Sequence, residues 1–355
     1  MSNRVFTLLG ALLLVATASA QEVKSIIYLI GDGMSLAAVS MMQLENRYEA
    51  TIFDRAENVA LQKTYSADNR ITDSAASGTA LATGYKTNNT YVGMLPDGTA
   101  VESLMDRASK RGMATGVIVT TYLQHATPAA FYAHVMSRSD YLTITRQLTS
   151  SRLDVAIGGG SHYFEECYGK NFRGMLQEQG ITLATSLEEV RRADSQQRVI
   201  ALMDEYEVTA RTDEYLAEAM HEAIRIMEQK AEDRGFVLMV EGSIIDGMGH
   251  ANDAHAMQGE MRGFMRAVEY AVEYASQHDD TLVVVTADHE TGGLTLVSSD
   301  ADFTLAEQGV EYRWTTTGHA GAMVPIYLYG AGCEEINGIM ENSELGARLM
   351  DIISK

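Results

Sequence analysis

The stretch Ile26-Ile27-Tyr28-Leu29-Ile30-Gly31-Asp32 decides the fold, because an apolar run ends there on an acid. Two further runs do the same: Phe236–Val240 before Glu241, and Leu282–Val285 before Asp288. Short runs rich in Val, Ile and Leu are strands buried on both faces, as in a parallel sheet. Ligands of open α/β sheets gather beyond the carboxyl ends of such strands. Acids brought to one sheet edge repel each other and resist ionising unless a cation lies between them. The pattern therefore points to a site for several metal ions. His289 follows Asp288 directly, and Asp246 and His250 follow Glu241 closely. Mixed Asp/His ligation suits zinc, whereas carboxylate and hydroxyl oxygens suit magnesium.

Outside those runs, strand and helix patterns alternate. Leu36–Tyr48 reads as a helix, and Ala100–Arg111 as another that stops at Gly112. Thr115–Thr120 is rich in β-formers. Tyr141–Ser150 reads as a short helix, followed by apolar Leu153–Ile157 and a Gly158-Gly159-Gly160 loop. Thr212 suits the cap of a long helix, Asp213–Lys230, with Leu216, Met220, Ala223 and Met227 along one stripe. His255–Gln277 is a second long helix and Pro325–Tyr329 a late strand. This alternation predicts an α/β fold with a mostly parallel central sheet and helices on both faces. The metal site belongs at the carboxyl ends of its strands. No internal repeat or low-complexity linker divides the chain, so residues 21–355 read as one catalytic domain. Within it, residues 161–211 read as an irregular, polar insertion suited to a peripheral cap or a partner contact.

Residues 1–20 stand apart. Arg4 precedes the almost unbroken apolar stretch Val5–Ala16, and Ala18-Ser19-Ala20 is a small-residue cleavage site. This is the pattern of a secretory signal peptide removed before Gln21. The stretch is short for a membrane anchor, and no later segment approaches ~18 consecutive apolar residues. A soluble protein in the periplasm or outside the cell is the expectation, with no membrane partner. The formal charge is −21, and loss of Arg4 makes it one unit more negative. Such acidity argues against nucleic acid or an anionic bilayer as partner. An anionic substrate would need bound cations and a local Arg to reverse the potential. Cys167 and Cys333 are the only cysteines, so no disulfide framework supports the fold, and a bridge and buried thiols both stay open. Three Pro beside thirty Gly and twenty Met admit either a loop-flexible, cold-adapted enzyme or ordinary drift in composition.

Thr72-Asp73-Ser74-Ala75-Ala76-Ser77-Gly78-Thr79-Ala80 follows a polar loop and runs into small helix formers. Ser74 falls at or near a helix N-terminus, where free N–H groups and the dipole favour an anion or developing alkoxide. A capping serine fits this segment equally well. The metal-ligand pattern elsewhere favours the nucleophile, since a serine hydroxyl needs a base or a metal to lower its pKa. Several further motifs stand in a distinctive order: Asp32-Gly33, His125-Ala126-Thr127-Pro128, Ala133-His134-Val135-Met136-Ser137-Arg138 and Glu241-Gly242-Ser243. Asp246 with His250, Thr286-Ala287-Asp288-His289 and Thr317-Gly318-His319 follow. In order and spacing this set, with Thr72–Ala75, resembles the alkaline phosphatase family over most of the chain after the leader.

The resemblance implies hydrolysis of small phosphate monoesters through a phosphoserine, with two zinc ions and one magnesium ion in a homodimeric enzyme. Ser74 would be the nucleophile. Asp32, Asp288 and His289 resemble the ligands of the zinc that activates it. Asp246, His250 and His319 resemble those of the second zinc, on the side of the leaving oxygen. Asp32, Thr127 and Glu241 resemble the magnesium site, Arg138 the phosphate clamp, and Asp73 the acid that orients the clamp. Physical chemistry favours such roles independently. Two divalent ions roughly 4 Å apart hold both the attacking and the leaving oxygen of an in-line displacement. A planar guanidinium grips two phosphate oxygens at once, which Lys cannot do.

Two positions depart from parts of the family. His125 stands where some members have an acid, and is expected beside magnesium through water. Gly247 follows Asp246 where members commonly carry a side chain that reaches toward phosphate. The other histidines, His134, His162, His221, His255 and His278, read as packing or surface residues, and Trp314 as packing near the His319 loop. Asn88-Asn89-Thr90 matches a glycosylation acceptor, a weak signal. Two rival readings remain: a related hydrolase preferring phosphodiesters or sulfate esters, and a non-catalytic phosphate- or metal-binding protein on this fold.

Overall fold

The computed structural model describes residues 22–298 and 310–354. The leader read at residues 1–20 lies outside the described residues. Eight strands are needed to locate the site: β1 Ser25–Gly31, β2 Asn58–Lys63, β3 Ala114–Tyr122 and β4 Val155–Gly159. They continue with β5 Ile181–Ala184, β6 Arg198–Leu202, β7 Phe236–Gly242 and β8 Thr281–Thr286. With Val324–Gly330 and Gly338–Glu341 they form a ten-stranded sheet. Its order is Gly338–Glu341, β2, Val324–Gly330, β8, β1, β7, β3, β4, β6, β5. Val324–Gly330 runs antiparallel to β2 and β8, and the remaining pairings are parallel.

The apolar runs form central strands because both of their faces are covered. On β1, Ile26, Tyr28 and Ile30 enter one core layer, and Ile27 and Leu29 the other. Helices Tyr215–Ala231 and Ala254–Gln277 cover the second layer, while Ser74–Thr83, Leu104–Lys110 and Asn342–Ile352 cover the first. Each large aliphatic side chain buried this way contributes about 1.5–3 kcal/mol. No helix among the described residues is long and apolar enough to cross a membrane.

The structure differs from the sequence reading mainly at element ends. The first helix is Leu36–Glu45, stopping before Arg47 and Tyr48, which take positive φ of 53° and 61°. The helix expected over 100–111 is Leu104–Lys110, because Ser103 and Asp106 close a capping box. The helix expected from Asp213 starts at Tyr215, and the Thr212 hydroxyl accepts from the Glu214 N–H instead of capping it. Gly158 and Gly159 belong to β4 rather than to a loop. A Cβ at Gly159 would lie 1.5 Å from the Tyr206 carbonyl oxygen, so only glycine lets that loop cross the strand. Residues 161–211 are not irregular: they hold helices Ser161–Tyr168, Phe172–Glu178 and Leu187–Arg192 as well as β5 and β6 at the sheet edge. Cys167 and Cys333 are both free thiols.

Candidate active site

Strand register explains which acids meet. On β1, Ile30 lies opposite Glu241 of β7 and opposite Thr286 of β8. Asp32 and Asp288 each follow two residues past that line, so they stand level. Glu241 sits about 7 Å lower, at ~3.3 Å of rise per residue. All three are fully buried. Between them, Gly33 takes a φ of 71° and donates its N–H to Asp288 Oδ1 at 3.1 Å.

Ser74 opens helix Ser74–Thr83, and Asp73 Oδ1 caps it by accepting from the Ala76 N–H at 3.0 Å. Ser74 Oγ lies 3.2 Å from His289 Nε2. Asp73 Oδ2 accepts from Arg138 Nη1 at 3.2 Å and from the Thr90 N–H at 3.1 Å. Thr90 occupies the left-handed region at φ 73°, uncommon for a β-branched residue, and its carbonyl accepts from the Arg138 N–H at 2.8 Å. One carboxylate thus holds the helix start, a strained turn and a guanidinium in register.

Three imidazoles turn Nδ1 outward. His250 Nδ1 lies 2.6 Å from the Thr317 carbonyl oxygen, and His319 Nδ1 lies 2.8 Å from that of Thr72. A carbonyl only accepts, so Nδ1 holds the proton in both rings. His289 Nδ1 is 3.2 Å from Thr291 Oγ1. The Nε2 atoms face inward, open to a proton or a cation. His289 Nε2 lies 3.2 Å from Asp288 Oδ2 and 3.5 Å from Asp32 Oδ1. His250 Nε2 is 3.3 Å from Asp246 Oδ2, and His319 Nε2 is 3.7 Å from Asp246 Oδ1. An outer nitrogen pinned in this way is the usual state of a metal-ligating His.

Among the described residues, three sets have potential ligand atoms within 4.8 Å of one another. They are Asp246 with His250 and His319, Asp32 with Asp246 and His289, and Asp32 with His125 and Glu241. Asp288 joins none of the three, although its Oδ2 faces His289. Thr127 Oγ1 reaches Asp32 Oδ2 at 3.5 Å. The chemistry of this donor set fits cations: Asp32 Oδ1, Asp288 Oδ2 and both Glu241 oxygens are buried without a hydrogen-bond partner. Each unpaired buried acceptor costs about 1–3 kcal/mol, more if charged.

The same crowding moves the proton affinities. Burial, then repulsion from Asp288 and Asp246, pushes the Asp32 carboxyl well above its ordinary range. Burial raises Glu241 to about 8, and burial with the Asp246 charge raises Asp288 to about 6. Burial lowers His289 to about 4 and His125 to about 3. His250 rises to about 9 because its bond to Asp246 favours the imidazolium. Burial opposes ionisation of Asp246, but the His250 bond and the nearby imidazoles outweigh it and hold that carboxyl low. His125 Nε2 lies 3.2 Å from Arg138 Nη2, and since a guanidinium only donates, Nε2 accepts there.

The sequence reading missed Thr291, the backbone acceptors of Thr72 and Thr317, and strained Thr90. Only Thr291 left a hint, two residues after His289. His134, His162, His221, His255 and His278 stand outside the three candidate sets. Trp314 packs against Gly292, where a Cβ would lie 2.4 Å from its Cε3.

Fold and site together define a hydrolase whose serine lies among potential metal ligands. A family model described as alkaline phosphatase matches residues 23–309. The chain belongs to the alkaline phosphatase family, and is a phosphatase that hydrolyses phosphate monoesters. It is similar to alkaline phosphatase of Escherichia coli (strain K12), with 30% identity covering 92% of this chain and 85% of that one. It is also similar to the solved alkaline phosphatase of the Antarctic bacterium TAB5, with a TM-score of 0.86 and 31% identity over 95% of this chain and 99% of that one. A variant of the TAB5 enzyme has Mg bound in its M3 site. The cold-active alkaline phosphatase of a psychrophilic Shewanella sp. gives a TM-score of 0.85 at 30% identity, covering 93% of this chain and all of that one.

Proposed function

We propose that Ser74 is the nucleophile of a phosphomonoesterase that uses two zinc ions and one magnesium ion and works through a phosphoserine. One observation carries this reading: Ser74 Oγ, Asp288 Oδ2 and Asp32 Oδ1 all gather within 3.5 Å of His289 Nε2. Asp32, Asp288 and His289 would hold one zinc, and Asp246, His250 and His319 the other. The oxygen donors Asp32, Thr127 and Glu241 suit magnesium, with neutral His125 beside them. When bound, the cations neutralise phosphoryl charge and hold the attacking and leaving oxygens in line.

The chain's own groups do the rest. Asp73 fixes Arg138, whose planar fork grips two non-bridging oxygens of the dianion. Burial disfavours the guanidinium charge, but Asp73 together with the Asp32 charge outweighs burial and keeps it protonated. Ser74 Oγ bonds to phosphorus as the ester oxygen departs in the alcohol. Water then takes the phosphoryl group from Ser74, and inorganic phosphate leaves. Export to the periplasm or medium after loss of the leader, and assembly as a homodimer, complete the reading.

A burst of alcohol release, lost in Ser74→Ala, tests the covalent step; steady turnover surviving in that variant would refute it. Elemental analysis before and after chelation should show zinc and magnesium lost together with turnover. Preference for a monoester over its methyl diester separates this reading from the diester- or sulfate-cleaving alternative.

A further inference from the structure

We infer that Thr291 is a positioning residue whose single hydroxyl ties the two zinc ligand sets together, an inference that rests on the zinc assignments above. Its Oγ1 donates to Asp246 Oδ1 at 2.5 Å and lies 3.2 Å from His289 Nδ1. A hydroxyl has one proton, and an ionised carboxylate has none to give. The donors therefore run in one direction, from His289 Nδ1–H to Thr291 Oγ1–H to Asp246 Oδ1. One end belongs to the set around Ser74, the other to the set with His250 and His319. The contrast with the other rings is informative. His250 and His319 end on the backbone carbonyls of Thr317 and Thr72, which pass nothing on.

The surroundings enclose Thr291 closely. It is 1% exposed. A Cβ at Gly33 would lie 2.8 Å from its Oγ1, and one at Gly249 would lie 3.0 Å from its Cβ and Cγ2. Two side-chain-free positions thus make room for this one side chain, whose β-branch is already stiff. Its backbone lies opposite His319 in the short Glu290–Thr291 and His319–Ala320 pairing. A single residue therefore meets members of both sets. The hydroxyl selects the His289 tautomer that presents Nε2 inward and aims one Asp246 oxygen, so its loss should loosen both sites rather than one.

Thr291→Val removes the hydroxyl at nearly constant shape, and Thr291→Ser keeps it without the methyl group. Zinc affinity, read on the whole chain by competition with a coloured chelator, should fall about 10–100-fold at both sites in the Val variant. The Ser variant should recover most of that loss, and the visible spectrum of the cobalt-substituted protein should change in Val but not in Ser. Val binding both ions as tightly as the parent would overturn the relay, as would Ser as weak as Val, which would make the residue a packing element. A parent protein without zinc affinity would instead overturn the metal assignments. Imidazole nitrogen NMR of the zinc-loaded parent gives an answer even if Val does not fold: His289 should hold its proton on Nδ1, and a proton on Nε2 would overturn the relay.

Discussion

Gly247 leaves open space beside Asp246: a Cβ there would meet only Ile244 Cγ2, at 3.9 Å. It lies inside helix Ile244–Ala251 without positive φ, so a longer side chain fits without backbone strain. Lack of room is therefore not what keeps a longer side chain from position 247. Gly247→Lys should tighten inhibition by inorganic phosphate about tenfold, since a charge-assisted hydrogen bond contributes about 1.5–3 kcal/mol. An unchanged inhibition constant would show that position 247 does not face the bound anion. Single residues also mark what a sequence conceals. Ser74 reads as a cap or a nucleophile until Asp73 is seen to do the capping and His289 to face the hydroxyl. Thr291 looks unremarkable until its two partners, at positions 246 and 289, are known.

Elements were legible in their middles and misread at their ends. Periodic apolar residues mark a strand or helix interior, whereas its limits depend on single hydrogen bonds made by capping side chains. Ser103 illustrates the point. Its hydroxyl accepts from the Asp106 N–H at 3.1 Å and reaches the Phe131 carbonyl oxygen at 2.7 Å. It starts helix Leu104–Lys110 and also ties it to the segment just after Thr127. Ser103→Ala should lower the unfolding free energy by about 1–2 kcal/mol while leaving turnover intact, as read by denaturant titration and steady-state kinetics. An unmoved unfolding midpoint would mean that water replaces the cap. Residues 161–211 were misread for a related reason. Their strands are short, four residues in β5 and five in β6, and only the pairing of β6 with β4, and of β5 with β6, reveals that they extend the sheet.

At the scale of the molecule, the site works against the fold when cations are withheld. Glu241 is raised to about 8 from an ordinary 4.5, and His250 to about 9 from 6.5. For both groups the folded state binds more protons than the unfolded one, so stability falls as pH rises through those values. Below about pH 6.5 the lowered His289 and His125 act in the opposite direction, since unfolding there takes up protons. The thermal midpoint of chelated protein should therefore drop between pH 6.5 and 9, and zinc with magnesium should flatten that drop. A midpoint of metal-free protein that is level or rising across this window would contradict the picture of buried, unpaired acids. The sequence by itself determined the alternating architecture, the acids at the strand ends and the class of chemistry, because apolar periodicity and residue type are local properties. Only the tertiary structure decided that Asp32 and Asp288 stand level with Glu241 beneath them. It also decided that three imidazoles turn Nδ1 outward and that one hydroxyl joins two ligand sets. Those facts depend on register between strands more than two hundred residues apart in the chain, which packing on both faces of the sheet sets and no local pattern records.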